Sequence, residues 1–275
     1  MPVIAFTQEM GSLAKDVAIR VAEELKLDSL RHEVLEHVAS RMHVPKSLVT
    51  RLREGKAGVI EAFRADRDSM AIFTNEELLE VAAKGNVVLR GWGASCLLRP
   101  VKHVLSVRIT RPFDQRVKWL MDHLDTDDLD MATEEVRRSD HGHASRMHAT
   151  FGVTWGDPLL YDLVLNTDRI SIDGCVDVIR DLVARPEFAE TPESQAHIRN
   201  MALEAHVRSA LRANENTHDV RITIDCRDGQ VTLSGIVLSE TERALTRDVT
   251  AAVAGVTGVD DQLRVMKRSK LFTSS

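Results

Sequence analysis

The sequence predicts an α/β protein with two domains: a three-layer domain built on a parallel sheet, and a small α+β domain after it. Short apolar runs alternate with helical stretches up to residue 184, which is typical of parallel strands joined by crossover helices. Segment 185–196 carries two prolines and three glutamates and is predicted to be a linker. Residues 197–268 then change to strands of alternating polarity around an Asp228-Gly229 hairpin turn.

The first domain is predicted from its apolar periodicity. Four apolar runs predict strands, at 3–6, 86–90, 103–109 and 161–165. Between them, apolar residues recur at helical spacing and predict helices, at 12–26, 29–42, 45–54, 75–84, 112–124, 130–148 and 171–184. Strands that alternate with helices in this way pair in parallel, with helices on both faces of the sheet.

The second domain is predicted to be a small sheet backed by helices. An amphipathic helix over 198–212 precedes the hairpin "VRITIDCRDGQVTLSGIVL". A second helix is expected at about 240–254, and "GVDDQLRVM" is expected to form a third strand. No residue of this domain indicates catalytic chemistry.

Composition limits the classes of function. The net charge is −6, the pI is about 6.0 and aromatic residues make up 4% of the chain. Nucleic-acid binding needs a basic face and, for single strands, stacking aromatic side chains, so we expect no nucleic-acid partner. A local basic pocket for a small phosphorylated molecule remains compatible with these values.

The sequence also indicates a cytoplasmic location. It has no apolar run of 18 or more residues, so no membrane insertion is expected. Its first residues lack the layout of a signal peptide. The cysteines are odd in number and far apart, as expected in a reducing compartment, and we expect them to be buried: Cys96, Cys175 and Cys226.

The stretch "TQEMGSLAKDVA", residues 7–18, lies between the first predicted strand and the first predicted helix. Glycine loops at such a place bind phosphate through inward-pointing backbone amides, the helix N-terminus and a lysine. Lys15 is present, but Leu13 and Ala14 stand where such loops have glycine. A second interpretation is that Gly11-Ser12 simply begins a helix with Ser12 as its cap.

Four blocks in order make the first domain resemble the cytidylate-kinase-like family of P-loop proteins. They are "QEMGSLAKDVA", "ELLEVAAKGNVVLRGWGASCLLRP", "RITRPFDQRV" and "VRRSDHGHASRMHATFGVTWGDPLLYDLVLNTDRISID". The second domain resembles a BON domain, through "DGQVTLSGIVLS" and "VAGVTGVDDQLRV". The resemblance implies a P-loop kinase-like fold over 1–184, a linker over 185–196 and a BON domain over 197–268.

The kinase resemblance implies phosphoryl transfer from ATP, with Mg²⁺, to a pyrimidine nucleoside monophosphate. The implied phosphate-binding groups are Lys15 and the amides of Gly11 and Ser12. Arg116 and Arg146 would neutralise the transferring group. Asp140 in the lid and Asn166 in the loop near adenine would complete the nucleotide site, although Asn166 also suits a turn before a helix capped by Ser171.

Several residues depart from the family pattern where phosphate contacts are needed: Leu13, Ala14, Trp92, Trp119 and His143. Asp16 stands where the strict P-loop motif has a magnesium-binding hydroxyl. These departures favour an alternative function, a non-catalytic nucleotide-sensing or regulatory protein. The BON domain implies a small ligand or a protein partner.

No metal site is expected in the protein itself. The run from His32 to His37 looks like a zinc-protease helix, but that motif needs its histidines four residues apart. Five residues turn a helix by about 500°, so the two rings diverge by about 140°.

Overall fold

The computed structural model describes residues 1–30, 32–54, 66–91 and 93–266. The first domain has a five-stranded parallel sheet in the order β2-β3-β1-β4-β5. Its strands are β1 Val3–Gln8, β2 Asp28–Leu30, β3 Val87–Arg90, β4 Val104–Thr110 and β5 Leu163–Asn166. The four predicted strands are confirmed. The sequence missed β2, which has only three residues, one of them apolar.

The helices of the first domain lie close to their predicted places. Within the described residues they are α1 Ala14–Leu25, α2 His32–Arg41, α3 Lys46–Glu54, α4 Arg67–Lys84, α5 Ala94–Leu97, α6 Phe113–Leu124, α7 Leu129–Phe151 and α8 Ile172–Val183. Helix α4 begins eight residues before its predicted start, because Asp66 caps it by accepting a hydrogen bond from the Ser69 amide.

Two apolar layers cover the two faces of the parallel sheet. One contains Ile4 and Phe6 of β1 with the inner sides of α1 and α8. The other contains Val3 and Ala5 of β1 with α2, α4 and the helix that follows the first domain. Alternate residues of a strand point to opposite faces, so the continuous apolar run of β1 contributes to both layers. This is the predicted three-layer arrangement.

The second domain has a three-stranded sheet in the order β6-β7-β8. Its elements are the helix α9 Pro192–Ala213, β6 Thr223–Arg227, β7 Gln230–Val237, α10 Glu240–Ala251 and β8 Gly258–Val265. The predicted hairpin is confirmed: β6 and β7 are antiparallel, and both turn residues, Asp228 and Gly229, have positive φ, as a two-residue hairpin turn requires.

Segment 185–196, predicted to be a linker, is partly helical. It holds a 3₁₀ turn at Pro186–Phe188 and the first turn of α9, which Thr191 caps. The proline at 192 marks the first position of a helix, where its missing amide costs nothing. Buried residues of α9, among them Ile198 and Ala205, lie in the apolar core of the first domain. Helix α9 is therefore shared between the domains; the domain boundaries themselves stay a prediction.

The described part of the chain contains no helix that is both long and apolar enough to cross a membrane.

Candidate functional site

The candidate site lies at the carboxyl edge of the parallel sheet, between the loops that follow β1 and β4. These neighbouring strands lead in opposite directions: the chain goes from β1 through α1 to β2 and from β4 through α6 and α7 to β5, on the other side of the sheet. Such a switch point leaves a crevice in which α/β proteins bind ligands.

The loop from Glu9 to Ala14 makes a tight turn between β1 and α1. Gly11 has φ 76°, and a Cβ atom there would lie 2.9 Å from the carbonyl oxygen of Arg116. Only glycine fits, because a side chain would both strain the backbone and collide with it. Leu13 also has positive φ, 62°, and is the residue before the first turn of α1.

Several loop amides are available to a ligand. In the part of the chain that the structure describes, the amides of Gly11, Leu13, Ala14 and Lys15 donate to no acceptor. These amides lie at the N-terminus of a 12-residue helix, where the helix dipole favours an anion. The side chain of Lys15 is exposed. The loop therefore offers four donors and one lysine to an oxyanion.

Ser12, which one interpretation of the sequence made the cap of the first helix, is instead hydrogen-bonded within the loop. Its amide lies 3.2 Å from the carbonyl oxygen of Glu9, and its hydroxyl donates to the same oxygen at 2.8 Å. The side chain is fully buried. Ser12 shapes the loop and does not cap α1, since the cap is Leu13, which makes no side-chain hydrogen bond.

Glu9 joins the loop to β4. One carboxylate oxygen accepts from the guanidinium of Arg108, and the other accepts from the Thr110 hydroxyl at 2.7 Å and the Arg111 amide at 3.4 Å. Glu9 is 99 residues from Arg108 in the sequence, so sequence spacing could not reveal this contact.

Arg116 is buried and already has anionic partners. Its two terminal nitrogens bind the carboxylate of Asp140 at 2.9 and 2.8 Å, and its Nε lies 3.6 Å from Glu9. Burial acts to lower the pKa of Arg116, but the hydrogen bond and charge of Asp140 outweigh burial and raise it. The structure thus brings together two residues predicted for the site, but it pairs them with each other across α6 and α7.

Sequence reasoning missed Arg108 as a member of this cluster. Its guanidinium stacks over Trp155 with 4.5 Å to the ring centroid and donates to the Trp155 carbonyl oxygen at 3.0 Å. Tyr161 donates to the same carbonyl oxygen at 2.8 Å, and burial raises the pKa of Tyr161. His143, one of the departures, stacks on the Trp155 ring at 5.2 Å. An arginine inside an apolar strand was the one signal that could have identified Arg108.

Two further residues predicted for the site are Arg146 on α7 and Asn166 at the end of β5. Arg146 is half-buried on α7, and its guanidinium lies beside Gly142 of the same helix: a Cβ atom added to Gly142 would be 3.4 Å from one guanidinium nitrogen. The side chain of Asn166 accepts from the amide of Asp168 at 3.0 Å, which is the turn that the sequence offered as its second interpretation. The neighbouring Thr167 contacts the phosphate-loop backbone instead, donating to the carbonyl oxygen of Ser12 at 2.8 Å.

Two other departures have different surroundings. Trp119 stacks on His123 with ring centroids 4.8 Å apart and packs on the core between α6 and α7. Trp92 lies outside the described residues.

The run from His32 to His37, which looked like a zinc-protease helix, has one described histidine side chain. His37 has two carboxylate neighbours, Glu76 at 2.9 Å and Glu77 at 3.2 Å, while the side chain of His32 is not among those described.

The fold and the loop define a class, the P-loop kinase-like proteins. Residues 3–169 match the model of the cytidylate kinase-like family, and residues 201–267 match that of the BON domain. The chain therefore belongs to the cytidylate kinase-like family and carries a C-terminal BON domain, as predicted.

One relative and two solved structures show different degrees of similarity to this chain. The chain is 26% identical over 121 residues to a cytidylate kinase from Staphylothermus marinus, covering 44% of this chain and 67% of that protein. An uncharacterised protein from Eubacterium ventriosum has a similar fold, with a TM-score of 0.53 and 20% identity over 67% of this chain and all of that one. A shikimate kinase from Bacteroides thetaiotaomicron gives a TM-score of 0.43 and 15% identity over 67% of this chain and 99% of its own.

Proposed function

We propose that this protein binds a nucleotide by its phosphates and transfers a phosphoryl group from ATP to a nucleoside monophosphate, with cytidine monophosphate as the first acceptor to test. The observation that carries the proposal is the set of four loop amides at the N-terminus of α1 that have no acceptor among the described residues. Backbone amides that converge on a helix N-terminus bind phosphate. The 26% identical relative is a cytidylate kinase, which supports the choice of acceptor.

In this proposal each residue has a role that follows from its contacts. The amides of Gly11, Leu13 and Ala14 hold the donor phosphates, and the exposed Lys15 adds a positive charge. Glu9 acts indirectly, since its hydrogen bonds to Arg108 and Thr110 hold the loop against β4. Phosphoryl transfer depends mainly on positioning and charge neutralisation, which such donors can supply.

ATP and Mg²⁺ fit the site to different degrees. The phosphates of ATP match the loop amides. Asp16, in the first turn of α1, stands where strict loops have a magnesium-binding hydroxyl, and its carboxylate is also an oxygen ligand of the kind Mg²⁺ prefers. The described residues contain no group of three or more His, Cys, Asp and Glu that could hold a metal ion. A magnesium ion would therefore take most of its ligands from the nucleotide and water.

A second candidate function is nucleotide sensing without turnover. The pairing of Arg116 with Asp140 favours it, because an arginine neutralised by a carboxylate is a weaker partner for a transferring phosphoryl group. Transfer would then require Arg116 to leave Asp140 when the nucleotide binds. The BON domain would serve as the docking unit, for a small ligand or a protein.

A coupled assay of ADP formation, together with calorimetry, separates the two candidates. We expect ADP formation from ATP that depends on the added monophosphate and falls at least about tenfold in Lys15→Gln, since a charged hydrogen bond to phosphate is lost. Lys118→Gln, at an exposed position of α6, is the matched control. ATP binding without turnover would select the sensing function. Absence of ATP binding would contradict both.

A further inference from the structure

A cation at the edge of the crevice has no partner within the described residues. Arg111 follows the last residue of β4, and its side chain is half-buried. Its Nε atom is buried and has no hydrogen-bond acceptor. The side chain has no other hydrogen bond and no ion pair in the described part of the chain. A buried donor without an acceptor destabilises a fold, so this one calls for an explanation.

The two neighbouring arginines differ from Arg111 in this respect. Arg108 binds Glu9, and Arg116 binds Asp140 and lies near Glu9. The two nearby carboxylates are thus occupied by arginines other than Arg111. Arg111 contacts these residues through its backbone: its amide donates a hydrogen bond to Glu9, and its carbonyl oxygen accepts one from Arg116 at 3.2 Å. These bonds fix the backbone of Arg111, while no carboxylate among the described residues pairs with its guanidinium.

The position of Arg111 indicates which group could neutralise the charge of its guanidinium. Its amide is 3.4 Å from a carboxylate oxygen of Glu9, the residue that begins the phosphate loop. Arg111 therefore lies on the β4 side of the switch-point crevice, and the loop with its acceptor-free amides lies on the β1 side. Both sides of the crevice therefore carry hydrogen-bond donors of the kind that bind an oxyanion.

We propose that Arg111 is an anion-binding residue of this site and takes a phosphate group of the bound ligand. The proposal rests on the proposed function, in that it names a residue which recognises the phosphorylated substrate. Guanidinium groups bind phosphate through two parallel hydrogen bonds. The phosphate belongs either to the donor nucleotide or to the acceptor monophosphate, and separate titrations tell these apart.

The test compares Arg111→Gln and Arg111→Lys with the wild type, using calorimetry with ATP alone and with cytidine monophosphate alone. Loss of a charged hydrogen bond corresponds to about tenfold weaker binding or more. We expect that loss in Arg111→Gln for one of the two ligands, which identifies the source of the phosphate, and a smaller loss in Arg111→Lys. Arg264→Gln, which removes the same charge at an exposed position of β8, should bind as the wild type does.

Thermal unfolding without ligand supplies the second measurement. Because the side chain of Arg111 has no hydrogen-bond or ion-pair partner in the part of the chain that is described, Arg111→Gln should melt no lower than the wild type. Arg116→Gln, which loses its pairing with Asp140, should melt lower. Unchanged binding in Arg111→Gln, with the wild type binding normally, would overturn the role of Arg111 and leave the proposed function standing. A melting temperature as low as that of Arg116→Gln would show a structural role and overturn it too. A wild type that binds neither ligand would contradict the proposed function as well.

Discussion

The hydroxyl of Ser209 on α9 donates a hydrogen bond of 2.6 Å to the carboxylate of Glu76 on α4. Both side chains are buried, with 0% and 8% of their surface exposed. The same oxygen of Glu76 lies 2.9 Å from Nε2 of His37 and 3.5 Å from Nε of Arg41 on α2. A polar cluster thus joins the helix that leads into the BON domain to the kinase-like domain.

Ser209→Ala should destabilise the whole chain. The change removes the hydroxyl between Glu76 and Arg41 and leaves a buried carboxylate with one donor fewer, which typically costs about 1–3 kcal/mol. Ser47→Ala, at an exposed position of α3, should change the free energy of unfolding by less than about 0.5 kcal/mol. Urea denaturation measures both values. Equal small losses would mean that the cluster does not bind α9 to the first domain.

The contribution of His37 to stability should decrease as the pH rises. The hydrogen bond from His37 to Glu76 raises the pKa of His37 above its ordinary 6.5. The folded state therefore holds this proton more tightly than the unfolded state, so the stabilisation is complete below pH 6.5 and is lost as the pH rises through the folded pKa. The charge of Glu77 also raises the pKa of His37, and the charge of Arg41 lowers it.

Denaturation of wild type and His37→Gln at two pH values measures this effect. The difference in free energy of unfolding between the two proteins should be larger at about pH 5.5 than at about pH 8.5. His197→Gln, at an exposed position, controls for the other histidines. A difference that stays constant or grows with pH would contradict the assignment.

The contribution of Glu76 to stability should depend on pH in the opposite direction, decreasing as the pH falls. Burial acts to raise the pKa of Glu76, but hydrogen bonds from His37 and Ser209 outweigh it and leave the pKa below its ordinary 4.5. The stabilisation from this carboxylate is therefore present above pH 4.5 and is lost as the pH falls through the folded pKa. The cluster should therefore stabilise the fold most between pH 4.5, the ordinary pKa of Glu76, and pH 6.5, the ordinary pKa of His37.

Gly11→Ala should destabilise the phosphate loop. Positive φ costs a residue with a side chain about 1–2 kcal/mol, and the new Cβ atom would lie 2.9 Å from the Arg116 carbonyl oxygen. Gly156→Ala is the matched control, because no atom of the described residues lies within 4 Å of the place a Cβ atom would take there. Chemical denaturation should show a loss of more than about 1 kcal/mol only in the first variant. Similar stability of the two would show that the loop relaxes without cost.

Leu13→Gly and Ala14→Gly should have different effects, although the sequence treats both positions as lost glycines. Leu13 has φ 62°, so glycine relieves backbone strain there. Ala14 is the buried first residue of α1, where glycine costs about 1 kcal/mol. We expect Leu13→Gly to be at least as stable as the wild type and to bind ATP more tightly, and Ala14→Gly to be less stable. If Leu13→Gly lost as much stability as Ala14→Gly, packing of the Leu13 side chain would outweigh the strain.

Local patterns were sufficient for much of the fold. The alternation of apolar runs and helical periodicity predicted four strands of the parallel sheet, and the Asp228-Gly229 pair predicted the hairpin. These features depend on neighbouring residues, through side-chain period and turn conformation, so a single sequence carries them. The order of four motifs likewise identified the family.

Only the tertiary structure decided which side chains meet. Glu9 contacts Arg108 across 99 residues, Arg116 contacts Asp140 across 24, and Ser209 contacts Glu76 across 133. It also decided that α9 belongs to two cores and that Arg111 has no ion pair among the described residues. The sequence determined most of the elements and the glycine turn between β1 and α1, because these depend on local conformation. The pairing of buried charges depends on how the elements pack, and the spacing of residues along the chain does not record it.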